Sequence, residues 1–355
     1  MTGRFALFLT LALMACGSPG IMAPGPKVPE ATIRDVYVAR FRQDTGQSRN
    51  FGEPRAGRLT FGRIAVSIPP NHEVGRIEWP SDTPDATRHF VTVDGEAYTG
   101  LASFVRQIAR SDRSGESETV LHVHGYNTTH GEAVYGAAQV AHDLDVPVPM
   151  VVFSWPSAAQ TTGYVYDRDS ALISRDNLEE VIVALAREEG RSLFLTAHSM
   201  GAYLLMETLR QIALSGRLDL ARDINGVLLM APDIDVELFK EQVDRIGPLP
   251  VPFMIMIAEQ DRALRLSGLI SGRGARLGSI DNPEFLSGLG VTIVDVGALS
   301  DGRKLDHNIA TTSPAALAIF RRLNEVTPPG ELNVVDAVIR ADQADGLLER
   351  VVSGH

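Results

Sequence analysis

The amino-acid sequence predicts an α/β fold with a mostly parallel central sheet, helices on both faces of the sheet and an antiparallel N-terminal edge. From Asp35 onward, apolar runs of strand length alternate with segments of helical periodicity, which is the pattern of strands joined by crossover helices. The central runs are apolar throughout, as expected for strands buried under two helical layers. The chain has 355 residues, of which 44% are hydrophobic and 22% charged, a composition typical of a folded globular protein.

Two early runs are expected to pair as the antiparallel edge. They are Val36–Ala39 and Leu59–Ile68, and Pro69-Pro70 closes the second because proline cannot donate to a sheet ladder. The segment from 71 to 97 mixes proline, glycine and charge and predicts no regular element. Residues 101–109 have the spacing of a helix.

After this region the predicted strands and helices alternate. Gly190 and Gly216 each follow an amphipathic segment and suit a helix C-terminus. The predicted strands are 119–123, 148–153, 192–196, 227–230, 253–257 and 291–294, and the predicted helices are 132–144, 178–189, 201–215 and 314–323. We expect one domain over residues 31–330, followed by a C-terminal tail or helix over 331–355.

Charge and cysteine content exclude several functions. A formal net charge of −11 argues against nucleic acid as a partner, because phosphate-binding surfaces need clustered lysine and arginine. The only cysteine, Cys16, rules out an internal disulfide framework and a cysteine-ligated zinc cluster. We expect neither a metal nor another cofactor.

The N-terminus has the pattern of an export signal. A short basic start and an apolar run too short to span a bilayer occupy residues 1–15. Leu13-Met14-Ala15-Cys16 resembles the bacterial lipobox, which predicts a lipidated Cys16; an ordinary signal peptide is the alternative. Residues 16–30 are rich in proline and glycine and are expected to tether the domain to the membrane. Gly17, in place of aspartate, favours the outer membrane, facing the periplasm.

Two serines fit the loose pattern small-x-Ser-x-Gly, Ser199 in 197–201 and Ser300 in 298–302. A nucleophile elbow requires a strand before the serine and a helix after it. Ser199 has both, whereas Ser300 is followed by a turn sequence. The N-terminus of the following helix also favours negative charge beside Ser199. The sequence therefore predicts Ser199 as a nucleophile.

A serine nucleophile needs a base and an acid that orients the base. In one known arrangement these follow the serine in the order Asp or Glu, then His. His307 is the candidate base, because the other downstream histidine ends the chain. Asp261, in the loop after the predicted strand 253–257, is the preferred acid, and Asp233 and Asp235 are its rivals.

An oxyanion hole requires one N–H after the nucleophile and another from a loop after an earlier strand. Met200 is expected to supply the first and Tyr126 the second, with Gly125 allowing close approach of the backbone. An alternative use of this region is a zinc site, because His122 and His124 face the same side of a strand. The Asp and third His expected beside such a pair are replaced here by Gly125-Tyr126-Asn127.

Taken together, these residues resemble the α/β-hydrolases, and more narrowly a bacterial family of uncharacterised function. The resemblance covers residues 36–323, and the motifs that carry it are Val123-His124-Gly125-Tyr126-Asn127, Phe153-Ser154-Trp155-Pro156-Ser157, Tyr166-Asp167-Arg168-Asp169-Ser170, Ala197-His198-Ser199-Met200-Gly201 and Ala231-Pro232-Asp233-Ile234-Asp235. Many hydrolases carry glycine where this chain has Ala197. The resemblance implies the fold and a serine hydrolase site but no particular substrate.

Together, motifs and resemblance predict a carboxylesterase or lipase-like enzyme of the cell envelope that acts on a small-molecule or lipid ester. Trp155 and Tyr164 are expected either to line the substrate pocket or to pack under loops. The glycine-rich stretch 267–290 is expected to form a mobile cover over the site. A lipid-anchored scaffold that keeps the fold without turnover is the alternative function.

Overall fold

The computed structural model describes residues 20–41, 58–80, 83–112, 114–217, 223–250, 252–258, 261, 264, 267–268, 275–297 and 338–340. Its strands are β1 (Thr32–Phe41), β2 (Leu59–Ile68), β3 (Val91–Tyr98), β4 (Glu118–Val123), β5 (Met150–Ser154), β6 (Ser192–His198), β7 (Ile224–Met230), β8 (Phe253–Ile257), β9 (Thr292–Asp295) and β10 (Val338–Arg340). Its helices are α1 (Leu101–Ser111), α2 (His130–Asp143), α3 (Tyr164–Ala186), α4 (Met200–Leu214) and α5 (Val236–Ile246).

The strands form one sheet in the order β10-β9-β8-β7-β6-β4-β5-β1-β2-β3. Pairing is parallel from β10 to β1 and antiparallel between β1, β2 and β3. The predicted α/β fold with its antiparallel N-terminal edge is therefore confirmed. The carboxyl ends of β4 and β6 lie side by side, which is where a parallel sheet places its functional loops.

The two faces of the sheet are buried under different helices. Leu121 and Val123 of β4 belong to a core shared with α1, α3, α4 and α5, while Val120 points the other way into a core with α2. Among the described residues, no helix is both long and apolar enough to cross a membrane.

Three elements differ from the sequence prediction. Strand β3 falls almost wholly within the segment 71–97, for which the sequence predicted no regular element. The sequence does not reveal this strand because its central residues are exposed and mostly polar. Helix α3 begins fourteen residues before the predicted start at 178, because its first half buries Asp167, Ser170 and Ser174 in place of apolar side chains. In the C-terminal tail, residues 338–340 form a strand beside β9. The predicted helix 314–323 lies outside the described residues.

The packed domain also begins earlier than the predicted residue 31. Gly20 accepts a hydrogen bond from the Thr129 hydroxyl, and Gly25 and Ala23 exchange backbone hydrogen bonds with Thr92 of β3. Residues 20–25, predicted as tether, thus lie against the domain. The lack of a side chain at Gly25 permits this close contact, since a β-carbon there would come within 2.8 Å of Val91.

Candidate active site

Ser199 occupies a sharp turn between β6 and α4. Its backbone has φ 53° and ψ −122°, a left-handed conformation that non-glycine residues adopt at a cost of about 1–3 kcal/mol. The turn is held from both sides, because the Ser199 N–H donates to Met230 O (3.0 Å) and the Asp233 N–H donates to Ser199 O (3.2 Å). This is the geometry of a nucleophile elbow.

The glycines around Ser199 allow backbones to approach one another closely. A β-carbon on Gly201 would collide with the carbonyl oxygens of Val123 and His124, and one on Gly125 would lie 2.7 Å from Nδ1 of His198. Helix α4 and the turn after β4 therefore pack against each other with no side chain between them. The glycine two residues after Ser199 is required by this contact.

The two predicted oxyanion donors lie on these same segments. Met200 is the first residue of α4, so its N–H has no partner within the helix. Tyr126 follows Gly125 in the turn after β4 and is half-buried. The Gly125 carbonyl is bound by Nδ1 of His124 at 2.9 Å. Because C=O and N–H point in opposite directions across a trans peptide, this bond orients the Tyr126 N–H.

The histidines near the turn are engaged in hydrogen bonds and stay neutral. Nδ1 of His122 lies 2.9 Å from the Thr196 hydroxyl, and Nδ1 of His130 lies 3.0 Å from the Ser154 hydroxyl. Burial lowers the pKa of His122 and of His124 to about 4 and that of His130 to about 3. Within the described part of the chain, no group of three or more His, Cys, Asp or Glu side chains is arranged to hold a metal ion.

Asp233, the rival acid, is held in a buried network. Its carboxylate accepts hydrogen bonds from the hydroxyls of Tyr164 (2.8 Å) and Ser267 (2.7 Å), and Nε of Arg276 lies 3.3 Å from it. The side chains of Asp233 and Arg276 are 3% and 4% exposed. Both carboxylate oxygens are thus committed to structural partners.

Asp261, the preferred acid, is fully buried just beyond β8. Its Oδ1 accepts the Leu264 N–H at 3.0 Å, and its own N–H donates to Ala258 O. The candidate base His307, the competing serine Ser300 and the candidate lipidation residue Cys16 lie outside the described residues.

The two predicted pocket aromatics are both buried. Trp155 is 2% exposed, stacks on the His124 ring with centroids 5.0 Å apart, and donates its indole N–H to His124 O at 2.7 Å. Tyr164 packs edge-on against Tyr126, and its hydroxyl binds Asp233. These contacts fix the turn after β4 and the loop after β7.

Within the predicted cover, residues 276–280 are largely buried in the fold. Leu277 and Gly278 donate to the carbonyls of Ile234 and Pro232, and Gly278 O accepts the Ala258 N–H. A β-carbon on Gly278 would lie 2.5 Å from the backbone of Ala231. For residues 275–280 the expectation of a mobile cover is therefore wrong, because they pack between the loops that follow β7 and β8.

Two residues that organise the site, Arg276 and Asp167, have no role that the sequence alone predicts. Arg276 neutralises Asp233 from 43 positions away, a pairing that no sequence pattern indicates. Asp167 binds two loops at once through its carboxylate. It lies in the run 166–170, which contributed to the family resemblance although the sequence indicated no structural role for it.

Comparison with solved structures gives α/β hydrolases at low similarity. A hydrolase of the α/β superfamily from Xanthomonas campestris is 19% identical over 58% of this chain and 98% of its own, with a TM-score of 0.31. Brefeldin A esterase, a bacterial homologue of human hormone-sensitive lipase, is 14% identical over 94% and 81%, with a TM-score of 0.38. An esterase from Rhizomucor miehei is 13% identical over 92% and 86%, with a TM-score of 0.39. No curated protein matches the chain.

A family model gives the assignment. The model described as "Alpha/beta hydrolase of unknown function (DUF900)" matches residues 102–323. This span runs from α1 through the Ser199 turn and takes in all three candidate acids and the candidate base. The chain therefore belongs to the DUF900 family of α/β hydrolases.

Proposed function

We propose that this protein is a serine hydrolase that cleaves carboxylic esters through an acyl-enzyme on Ser199. The observation that carries the proposal is the left-handed backbone of Ser199 at the start of α4, with the turn of Gly125 packed against it. A buried serine held in a costly conformation at a helix N-terminus fits a nucleophile better than a structural turn.

In the proposed reaction, Ser199 Oγ attacks the ester carbonyl carbon and its proton passes to His307. The N–H groups of Met200 and Tyr126 bind the oxyanion of the tetrahedral intermediate. When the intermediate collapses, the alcohol leaves with the proton from His307 and the acyl group remains on Ser199. Water then attacks the acyl-enzyme by the same steps in reverse and releases the acid.

Asp261 is the proposed acid that orients His307. The contacts of Asp233 support this choice, because Tyr164, Ser267 and Arg276 occupy its two oxygens. Asp261 follows β8, where hydrolases with the order Ser, Asp, His place the carboxylate.

The proposed setting is the cell envelope, with Cys16 lipidated at the outer membrane. Gly20 packs against Thr129 and Gly131, at the edge of the sheet that carries Ser199. Four residues extend over at most about 14 Å, so a lipid on Cys16 would hold this edge close to the membrane surface. This arrangement favours esters of membrane lipids over freely diffusing substrates.

Two experiments test the proposal. A fluorophosphonate probe should label the parent protein and fail to label Ser199→Ala, whose hydrolysis of a short nitrophenyl ester should fall by about 10⁶-fold. Ser300→Ala, in the second loose motif, is the matched control and should retain labelling and activity. A parent protein that stays unlabelled and inactive would favour the scaffold alternative.

For the cell-envelope setting, Cys16→Ser should move the protein out of the membrane fraction of the producing bacterium. Equal membrane recovery of the variant and the parent would refute the lipid anchor without bearing on Ser199.

A further inference from the structure

Asp167 is a buried carboxylate at the point where three segments of the site meet. It lies in the first turn of α3 and is 0% exposed. Oδ2 accepts the Asn127 N–H (3.1 Å) and the Ser157 hydroxyl (2.7 Å), and Oδ1 accepts the Ala158 N–H (2.6 Å). One carboxylate therefore ties the turn after β4 to the loop after β5 and to α3.

The direction of these bonds is fixed by chemistry. An ionised carboxylate only accepts hydrogen bonds, so the single hydroxyl proton of Ser157 must point to Asp167. The hydroxyl oxygen is then left to accept the N–H groups of Thr128 (3.3 Å) and Ala159 (3.2 Å). Asp167 thus holds the turn after β4 twice, directly at Asn127 and through Ser157 at Thr128.

The segment that Asp167 holds carries the proposed oxyanion donor. Asn127, the residue after Tyr126, has φ 54°, a left-handed conformation that asparagine adopts more readily than most other residues with side chains. The Tyr126 side chain is tied to the same loop, because its hydroxyl donates to Thr161 O and its ring packs on Tyr164. The Thr128 hydroxyl also donates to Tyr126 O (3.2 Å), but this contact lies within the turn itself and does not tie the turn to another segment.

We propose that Asp167 is a positioning residue, which holds the turn after β4 so that the Tyr126 N–H faces the oxyanion formed at Ser199. This inference rests on the proposed serine hydrolase function. Asp167 makes no contact with substrate in this role and acts through Asn127 and Ser157.

Asp167→Asn tests the inference. The amide presents an N–H₂ group to at least one N–H donor, so one of the three hydrogen bonds is replaced by a repulsive contact. Loss of an entire oxyanion donor lowers kcat by about 10²–10³-fold, and a displaced donor should cost about 10–100-fold. Asp169→Asn, the same change on the exposed side of α3, is the matched control and should leave kcat unchanged.

The readout separates a positioning role from a purely structural one. Rates and active-site titrations with a fluorophosphonate are both measured well below the unfolding temperature. Each rate is then divided by the number of titrated sites. We expect kcat per titrated site to fall, KM to stay within about threefold, and the affinity for a trifluoromethyl ketone, which forms a tetrahedral adduct, to fall by the same factor as kcat. A purely structural residue would reduce the number of titrated sites and leave kcat per site unchanged.

Ser157→Ala is a milder variant that tests the positioning role of Asp167 if Asp167→Asn fails to fold. It removes one of the three hydrogen bonds that Asp167 accepts, together with the two that the Ser157 oxygen accepts from Thr128 and Ala159. It should lower kcat per titrated site about three- to tenfold. A kcat per site equal to that of the parent in the folded variants would overturn the inference while Ser199 still labels in the parent. A parent that does not label at Ser199 would overturn the proposed function, and this inference with it.

Discussion

Gly125 lies so close to Ser199 that a β-carbon on the glycine would come within 3.1 Å of the Ser199 β-carbon. The same added carbon would lie 3.3 Å from His198 O. Both distances are shorter than an ordinary carbon contact. The turn that carries one proposed oxyanion donor is therefore in direct contact with the proposed nucleophile, and the only side chain that fits there is hydrogen.

Gly125→Ala should therefore reduce catalysis more than stability. The methyl group must push the turn away from Ser199, and a displacement of about 1 Å at a reacting centre can cost about 10²-fold in rate. We expect kcat for a nitrophenyl ester to fall by about 10- to 100-fold. Gly136→Ala is the matched control, because a β-carbon there meets nothing within 4 Å and alanine stabilises a helix by about 0.5–1 kcal/mol. Equal kcat in the two variants would contradict the contact.

Substitutions of Asp261 and Asp233 should affect different properties. The first should reduce activity and the second should reduce stability. Asp261→Asn should lower kcat by about 10⁴-fold with little change in unfolding, because asparagine still accepts the Leu264 N–H while the orientation of His307 is lost. Asp233→Asn should instead destabilise the fold by about 3–5 kcal/mol, since it leaves the buried Arg276 without its counter-charge. Urea unfolding and steady-state kinetics measure the two effects.

A third variant controls for the change of charge. Asp235→Asn should alter neither quantity, because Asp235 caps α5 by accepting the N–H groups of Glu237 and Leu238 and asparagine is an equally good N-cap. If Asp233→Asn lost activity without loss of stability, Asp233 would be the acid.

Elements whose buried residues are apolar could be predicted from the sequence. β8 was predicted with its observed bounds because all five of its residues are apolar and buried. The sharp turn at Ser199 was predicted because its strand, turn and helix are contiguous in the chain. The first half of α3 was missed because Asp167, Ser170 and Ser174 occupy its buried face. Apolar periodicity cannot detect a helix whose buried face is polar.

Long-range polar contacts also escaped prediction. The pairing of Asp233 with Arg276 depends on a segment that returns between two loops, and no local pattern encodes that return. The same holds for Gly20, whose packing on Thr129 moves the start of the domain into the predicted tether.

His72 should make the fold less stable as the pH rises above about 6.5. Its ring is bracketed by Glu78 (2.9 Å) and Asp143 (2.8 Å). Burial alone lowers the pKa of His72, but the hydrogen bonds and charges of Asp143 and Glu78 outweigh it and the net shift is upward. Stability from the protonated ring is thus complete below about pH 6.5 and is lost as the pH rises through the raised pKa.

Urea unfolding between pH 5.5 and 9 measures this contribution. The free energy of unfolding of the parent should decline as the pH rises above about 6.5, and His72→Gln should remove the decline. His89→Gln, a histidine outside this bracket, is the control and should preserve it. An unchanged pH profile in His72→Gln would show that the two carboxylates do not hold a proton on the ring.

The buried histidines around the Ser199 turn should make the fold less stable at acid pH. The folded-state pKa values of His122, His124 and His130 are about 4, 4 and 3, below the ordinary value of about 6.5. The folded protein therefore binds fewer protons than the unfolded chain, and stability is complete above about pH 6.5 and falls as the pH drops towards 4. His130→Asn should make this fall less steep by removing one of the three groups.

This acid destabilisation must be distinguished from protonation of the base. Protonation of the proposed base His307 would give a reversible loss of kcat/KM in the pH range where histidine side chains ordinarily titrate, around pH 6.5. Because His130 is already neutral there, the acid limb of the pH–rate profile should be the same in His130→Asn as in the parent, although the two differ in unfolding at pH 4.5. Rates measured within seconds of a pH jump separate the two processes. An acid limb that shifts in His130→Asn would mean that the reaction depends on this buried histidine, and the assignment of the limb to His307 would fail.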